Sequence, residues 1–172
     1  AERARPAAFG GSLPLVAASR GSTPLKKVRP MKLILVVEDE YGNAEVLQML
    51  LEAEGFRVAL ASNGKAALQL LADGEKPALI LSDFMMPVMT GGEFGVALRS
   101  DPALARIPFV FMSGTSEEVV RRAFADYDAF VVKPIQFPAL SVVLHRLIAQ
   151  GRPSASGASN RPVPLARFES TR

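Results

Sequence analysis

Ala78-Leu79-Ile80-Leu81-Ser82-Asp83-Phe84-Met85-Met86-Pro87-Val88-Met89-Thr90-Gly91 is the stretch from which the rest of the chain is read. It opens as a continuous apolar run of strand length, meets a lone carboxylate at Asp83, and breaks into a loop marked by Pro87 and Gly91. An apolar run without polar alternation indicates a strand covered on both faces, the habit of a parallel sheet. Upstream, Lys32-Leu33-Ile34-Leu35-Val36-Val37 ends in Glu38-Asp39-Glu40. Downstream, Phe109-Val110-Phe111-Met112 ends in Ser113-Gly114, and Ala129-Phe130-Val131-Val132 ends in Lys133-Pro134.

Helical patterns separate these runs. The spacing of Ala44, Val46, Leu47, Leu50 and Leu51 predicts a helix over about 41–54, stopped by Gly55 as a left-handed cap. Arg57-Val58-Ala59-Leu60 alternates and reads as a half-exposed strand near an edge. Short helices are predicted at about 65–72, from Gly91-Gly92 to Ser100, and at about 116–125; a last one spans about 138–149. Five strands alternating with helices predict an α/β fold, a doubly wound five-stranded parallel sheet with helices on both faces.

The 172 residues and 49% apolar content suffice for one domain with a substantial core. No apolar run approaches the roughly 18 residues of a membrane span. The absence of cysteine excludes disulfides, thiolate metal sites and a cysteine nucleophile, and one histidine excludes a multi-histidine metal site. The formal charge of +3 conceals a division: residues 1–30 carry six bases and one acid, and residues 150–172 carry four and one. That leaves ten bases against fifteen acids between them. Both basic ends are rich in Pro, Gly, Ser and Ala and lack periodicity. The expected organisation is a disordered N-terminal extension (1–30), a folded domain (31–149) and a disordered basic tail (150–172). Met31 opens the first strand and is a candidate initiator.

In an open parallel sheet, functional groups gather beyond the carboxyl ends of the strands. Here those ends carry Glu38, Asp39, Asp83, Ser113 and Lys133. Three carboxylates in one pocket repel unless a cation neutralises them, and Mg2+, a hard ion taking one or two carboxylates plus waters and phosphate oxygen, suits the set. Asp83 is then a candidate nucleophile toward a phosphoryl group, with Lys133 as a point charge and Ser113 as a hydrogen-bond donor. Plainer readings stand beside these: Glu38 and Asp39 as acids at a helix N-terminus, Ser113 as a helix cap, Lys133 as a surface lysine, and Met85, Met86 and Met89 as packing. His145 reads as an ordinary helix side chain.

Taken in order, Val37-Glu38-Asp39-Glu40, the stretch from Asp83 to Gly91, Met112-Ser113-Gly114 and Val132-Lys133-Pro134 make residues 31–149 resemble the receiver domain of two-component response regulators, the CheY-like family. The resemblance implies the flavodoxin-like strand order 2-1-3-4-5. It implies phosphorylation of Asp83 by a histidine kinase or phosphotransfer protein. It further implies Mg2+ held by Asp39, Asp83 and the backbone carbonyl of Met85, with Glu38 acting through water. Ser113 and Phe130 fall on the family's hydroxyl and aromatic switch positions, and Lys133–Pro134 on its cis peptide. Glu38 stands where Asp is commoner. Thr90 replaces a frequent Asp or Asn, which is expected to leave the loop less locally stabilised. Phe130 has no hydroxyl, so switching through it must rest on packing.

The expected function is that of a cytoplasmic single-domain response regulator in a phosphorelay. It would assist its own phosphorylation and dephosphorylation without acting on separate substrates. Only about 23 residues follow the last helix, too few for a DNA-binding domain, so the output would be a surface switch read by a downstream effector protein. A homodimer through the last two helices and strand five is also open to such a domain. No membrane partner is expected. Two alternatives come from other classes. A flavodoxin-like flavin- or nucleotide-binding domain is allowed by the fold, but no Gly-rich phosphate loop follows the first strand. A phosphate-ester hydrolase would need a second acid beside the nucleophile, and Phe84-Met85 supplies none.

Overall fold

The computed structural model describes residues 31–152 and Val163–Pro164. The expected N-terminal extension, residues 1–30, and most of the expected tail lie outside the described residues. The elements run β1 (Leu33–Val37), α1 (Tyr41–Ala53), β2 (Arg57–Ala61), α2 (Gly64–Asp73), β3 (Leu79–Asp83), α3 (Gly91–Ser100), β4 (Phe109–Ser113), α4 (Glu117–Ala123), β5 (Ala129–Val132), α5 (Phe137–Gln150) and β6 (Val163–Pro164). All paired strands are parallel, in the order β2-β1-β3-β4-β5-β6. The first five follow the expected 2-1-3-4-5 order.

The sixth strand was not expected. Residues 150–172 read as wholly disordered, yet Val163 pairs with Ala129 and Pro164 with Phe130 on the outer side of β5. Arg152 also has fixed partners: it donates to Asp126, to Asp128 and to the Ala105 carbonyl. The strand escaped the sequence reading because it is two residues long and flanked by Pro162, so no alternation can show.

Successive residues of a strand face opposite sides, and this divides the core in two. Leu35, Val37, Ile80, Phe109, Phe111 and Phe130 pack toward α2, α3 and α4. Ile34, Val36, Leu79, Leu81, Val110 and Val131 pack toward α1 and α5. Phe111 centres an edge-to-face aromatic group, with ring centroids 4.8 Å from Phe109, 5.3 Å from Tyr127 and 5.6 Å from Phe84. β2 is half exposed, as its alternation predicted.

Local signals fix the helix ends. At the end of α1, Gly55 (φ +87°) donates to the Glu52 carbonyl at 2.9 Å and Phe56 to that of Leu51 at 3.1 Å, a Schellman closure. Asn63 caps α2 by accepting from the Ala66 amide at 2.9 Å. α4 is shorter than predicted, ending at Ala123, and α5 starts one residue early with Pro138 in its first turn.

Candidate functional site at the carboxyl edge of the sheet

β1 and β3 are neighbours in register, with Val37 opposite Ser82, so Glu38 and Asp83 emerge side by side. Carboxylate oxygens of Glu38, Asp39 and Asp83 lie within 4.8 Å of one another. Glu38 and Asp83 are buried and Asp39 is exposed. Lys133, delivered from the end of β5, reaches across β4 to join them. Its Nζ donates to Glu38 Oε2 at 2.8 Å and to Asp83 Oδ2 at 2.5 Å. The Lys133–Pro134 peptide is cis, as expected.

The other oxygen of Asp83 is held by backbone. Oδ1 accepts from the Phe84 amide at 2.5 Å and the Met85 amide at 3.2 Å. This fixes the carboxylate in the turn after β3. The turn requires Gly91: a Cβ there would lie 2.2 Å from the Asp83 carbonyl oxygen and 2.9 Å from the Phe111 ring. The Gly91 amide closes the loop by donating to the Phe84 carbonyl at 2.9 Å.

Thr90 corrects one expectation. Instead of weakening the loop, its hydroxyl accepts from the Glu93 amide at 3.2 Å while Glu93 accepts from the Thr90 amide at 2.8 Å. This reciprocal capping box fixes the start of α3. The pattern Thr-x-x-Glu was present in the sequence as a signal for it.

Electrostatically, three acids face one ammonium. Burial works against the charge on Lys133, but hydrogen bonds to Asp83 and Glu38, with their charges, outweigh it and raise its pKa above the ordinary lysine value. The donor set fits a hard divalent cation: only oxygen ligands converge, and the single ammonium leaves the cluster with excess negative charge.

Ser113 ends β4 and is buried; its hydroxyl accepts from the Thr115 amide at 3.0 Å. It does not cap α4, which Ser116 precedes. The Lys133 amide donates to the Ser113 carbonyl at 2.9 Å, tying the ends of β4 and β5. Phe130 is buried in the core on the α4 side, its ring centroid 6.3 Å from that of Tyr127. The Met85 side chain is exposed. Among the described residues His145 lies on α5, away from these groups, with Glu54 3.1 Å away and Phe56 against its ring.

Two features escaped the sequence reading. Tyr127, fully buried, donates its hydroxyl to Glu117 Oε1 at 2.9 Å and so links the approach to β5 with α4. At the opposite end of the sheet, buried Asp128 accepts from the Phe109 amide at 2.8 Å and from Arg99 at 3.2 Å. Burial and the neighbouring Arg152 charge push the Arg99 guanidinium down to about 10, against the pull of Asp128 and Asp126. Both depend on partners many residues apart, which periodicity does not register.

A cleft of about 550 Å³ runs from Glu38 and Lys133 past Val46, Leu50, Ile135 and Phe137. Among the described residues, no helix is long and apolar enough to cross a membrane.

Comparison with known proteins agrees with this geometry. The family model of the response regulator receiver domain matches residues 34–145. Response regulator Rre1 of a Synechocystis species is 34% identical over 129 residues, 73% of this chain; the chain spans 55% of that relative's length. The signal receiver domain of a signal transduction histidine kinase from Syntrophus aciditrophicus is 32% identical, with a TM-score of 0.65 over 74% of this chain and 96% of its own. The receiver domain of the sensor histidine kinase PA1611 from Pseudomonas aeruginosa was solved with magnesium coordinated in its active site cleft. It is 26% identical, with a TM-score of 0.65 over 69% of this chain and 98% of its own. With the sheet order, the carboxylate cluster and the family match all in agreement, the chain belongs to the response regulator receiver domains of two-component systems.

Proposed function

We propose that Asp83 accepts a phosphoryl group from a histidine kinase or a histidine phosphotransfer protein, and that the chain signals through the resulting change in its surface. The observation that carries this reading is the arrangement around one carboxylate: Asp83 is held by two backbone amides on Oδ1 and by Lys133 on Oδ2, beside two further acids.

The residues divide the work. The amides of Phe84 and Met85 orient the nucleophile, so little reorganisation remains at the moment of attack. Lys133 neutralises charge on Asp83 in the resting site and is placed to follow a phosphoryl oxygen once the Asp83 oxygen it now holds bonds to phosphorus, the P–N bond to the donor histidine breaks and an acyl phosphate forms. Glu38, Asp39, Asp83 and the Met85 carbonyl would hold Mg2+, which when bound supplies the remaining positive charge needed by phosphoryl oxygens. The Ser113 hydroxyl accepts from the Thr115 amide and, among the described residues, donates to no partner, so its proton is available for an incoming oxygen. Drawing Ser113 toward Asp83 changes the packing beside Phe130, which lies one strand away in the same core as Tyr127 and α4.

The donor's approach is suggested by the cleft beside Glu38 and Lys133. Exposed Val46 and Leu50 on α1 give it an apolar rim suited to a partner helix bearing the phosphohistidine. Gly114 leaves open space beside the acceptor, since a Cβ there would meet nothing within 4 Å. The Met85 side chain has no polar group to orient an attacking water. The phosphorylated form is therefore expected to last well beyond seconds.

The test is intact-mass measurement after exposure to a small-molecule phosphodonor with Mg2+. One phosphoryl adduct is expected on the native chain and none on Asp83→Asn. No adduct on the native chain, or an equal adduct on the variant, overturns the assignment.

A further inference from the structure

The outer edge of β5 is not bare. β6 lies along it in parallel register, Val163 opposite Ala129 and Pro164 opposite Phe130. A second observation places Arg152 beside the same strand. Arg152, two residues past α5, donates through Nε to Asp128 Oδ1 at 3.2 Å and through Nη1 to the Ala105 carbonyl at 2.9 Å. A third bond goes to Asp126. Asp126 and Asp128 immediately precede β5, so the departing chain is tied at the end of the sheet where a parallel sixth strand must begin. Arg152 is mostly buried there and shares Asp128 with Arg99, which makes the tie part of a built charge cluster.

The sequence suits a short occupant of an edge. Residues 162 and 164 are both proline, so Val163 carries the one backbone N–H in the Pro162-Val163-Pro164 segment. Val163–Pro164 pairs with β5 on one side but, with proline in the strand, offers a poor template for a further strand on the other.

We propose that the C-terminal segment containing Val163–Pro164 is the resident occupant of the β5 edge. Any second copy or effector that docks on this edge, between α4 and α5, must first displace it. The register puts this occupant directly beside Phe130, so the segment sits where a change in Phe130 packing would be felt. That regulatory consequence rests on the phosphoacceptor reading, whereas the docking itself does not.

The test uses the full chain without phosphodonor, so its outcome is independent of Asp83 chemistry. Amide hydrogen exchange is compared for the native chain, Val163→Pro and Arg152→Ala. Val163→Pro deletes the remaining N–H, and the β5 amides that face away from β4 are expected to exchange about tenfold faster, with β1 and β3 unchanged. Arg152→Ala is expected to accelerate the same amides. Unchanged β5 exchange in both variants overturns the proposal. So does β5 protection that rises with protein concentration in the native chain, which would assign the edge to a second copy instead.

Discussion

Replacing Lys133 by methionine keeps the aliphatic stem and removes the ammonium, leaving Glu38, Asp39 and Asp83 to face one another. Lys133 is bonded to Glu38 at 2.8 Å and Asp83 at 2.5 Å, and the two acceptor side chains are only 1% and 11% exposed. Removing one partner from a buried ion pair costs about 3–5 kcal/mol. The 24% exposure of the Lys133 side chain lets water screen part of that, which lowers the expectation to roughly 2–3 kcal/mol. Urea unfolding followed by circular dichroism reads this directly. With an m-value of about 1.5 kcal/mol/M, the midpoint should fall by roughly 1.3–2 M without a change in slope. The pH dependence adds a second constraint. The pKa of Lys133 is raised in the folded chain, so its contribution is complete below the unfolded lysine value of about 10.4 and is lost as the pH climbs through the higher folded value. The gap between native and variant should hold across neutral pH and close only in strong alkali. A double-mutant cycle with Glu38→Gln should return a favourable coupling. A midpoint equal to or above the native one at neutral pH would refute the reasoning, because the ammonium would then not be balancing the acids.

Other outcomes follow from the same geometry. Mg2+ should raise the unfolding free energy of the native chain by about 2.7 kcal/mol at a hundredfold excess over its dissociation constant, read as a higher urea midpoint, and Asp39→Asn should blunt the effect. Gly91→Ala forces a Cβ to 2.2 Å from the Asp83 carbonyl oxygen and should destabilise by about 3 kcal/mol, whereas Gly114→Ala, with open space around it, should stay within about 0.5 kcal/mol in the same unfolding assay. Thr90→Ala removes the cap acceptor of α3 and should cost about 1 kcal/mol. Asp128→Ala strips a buried acceptor from Arg99, Arg152 and the Phe109 amide, and should cost about 3–5 kcal/mol by thermal or urea unfolding.

The parallel sheet was legible because its central strands are uninterrupted apolar runs: Leu79–Asp83 and Phe109–Ser113 are buried at every position, and only such runs survive between two layers of helices. The site was legible for a related reason. A polar residue that ends a buried strand has little choice of location, so Glu38, Asp83 and Lys133 could be placed together before any distance was known. The features that were missed are of another kind. The amides that clamp Asp83 are backbone groups and leave no mark in the residue pattern. Tyr127–Glu117 and Arg152–Asp128 are side-chain partnerships set by where helices come to rest, 10 and 24 residues apart. The Thr90–Glu93 box is readable as Thr-x-x-Glu, and this reciprocal cap outweighs the weaker turn preference of Thr90 itself.

Lys133 finds its two acids 95 and 50 positions back along the chain. A polypeptide emerging from the ribosome therefore displays Asp83 long before it possesses the cation that tames it. Until β5 slides into place, the acidic pocket holds like charges alone, and a fragment halted before residue 133 would lack the ammonium that Glu38 and Asp83 share. Charge balance at this edge is thus bound to the arrival of β5, so that half-made copies hold their acids uncompensated.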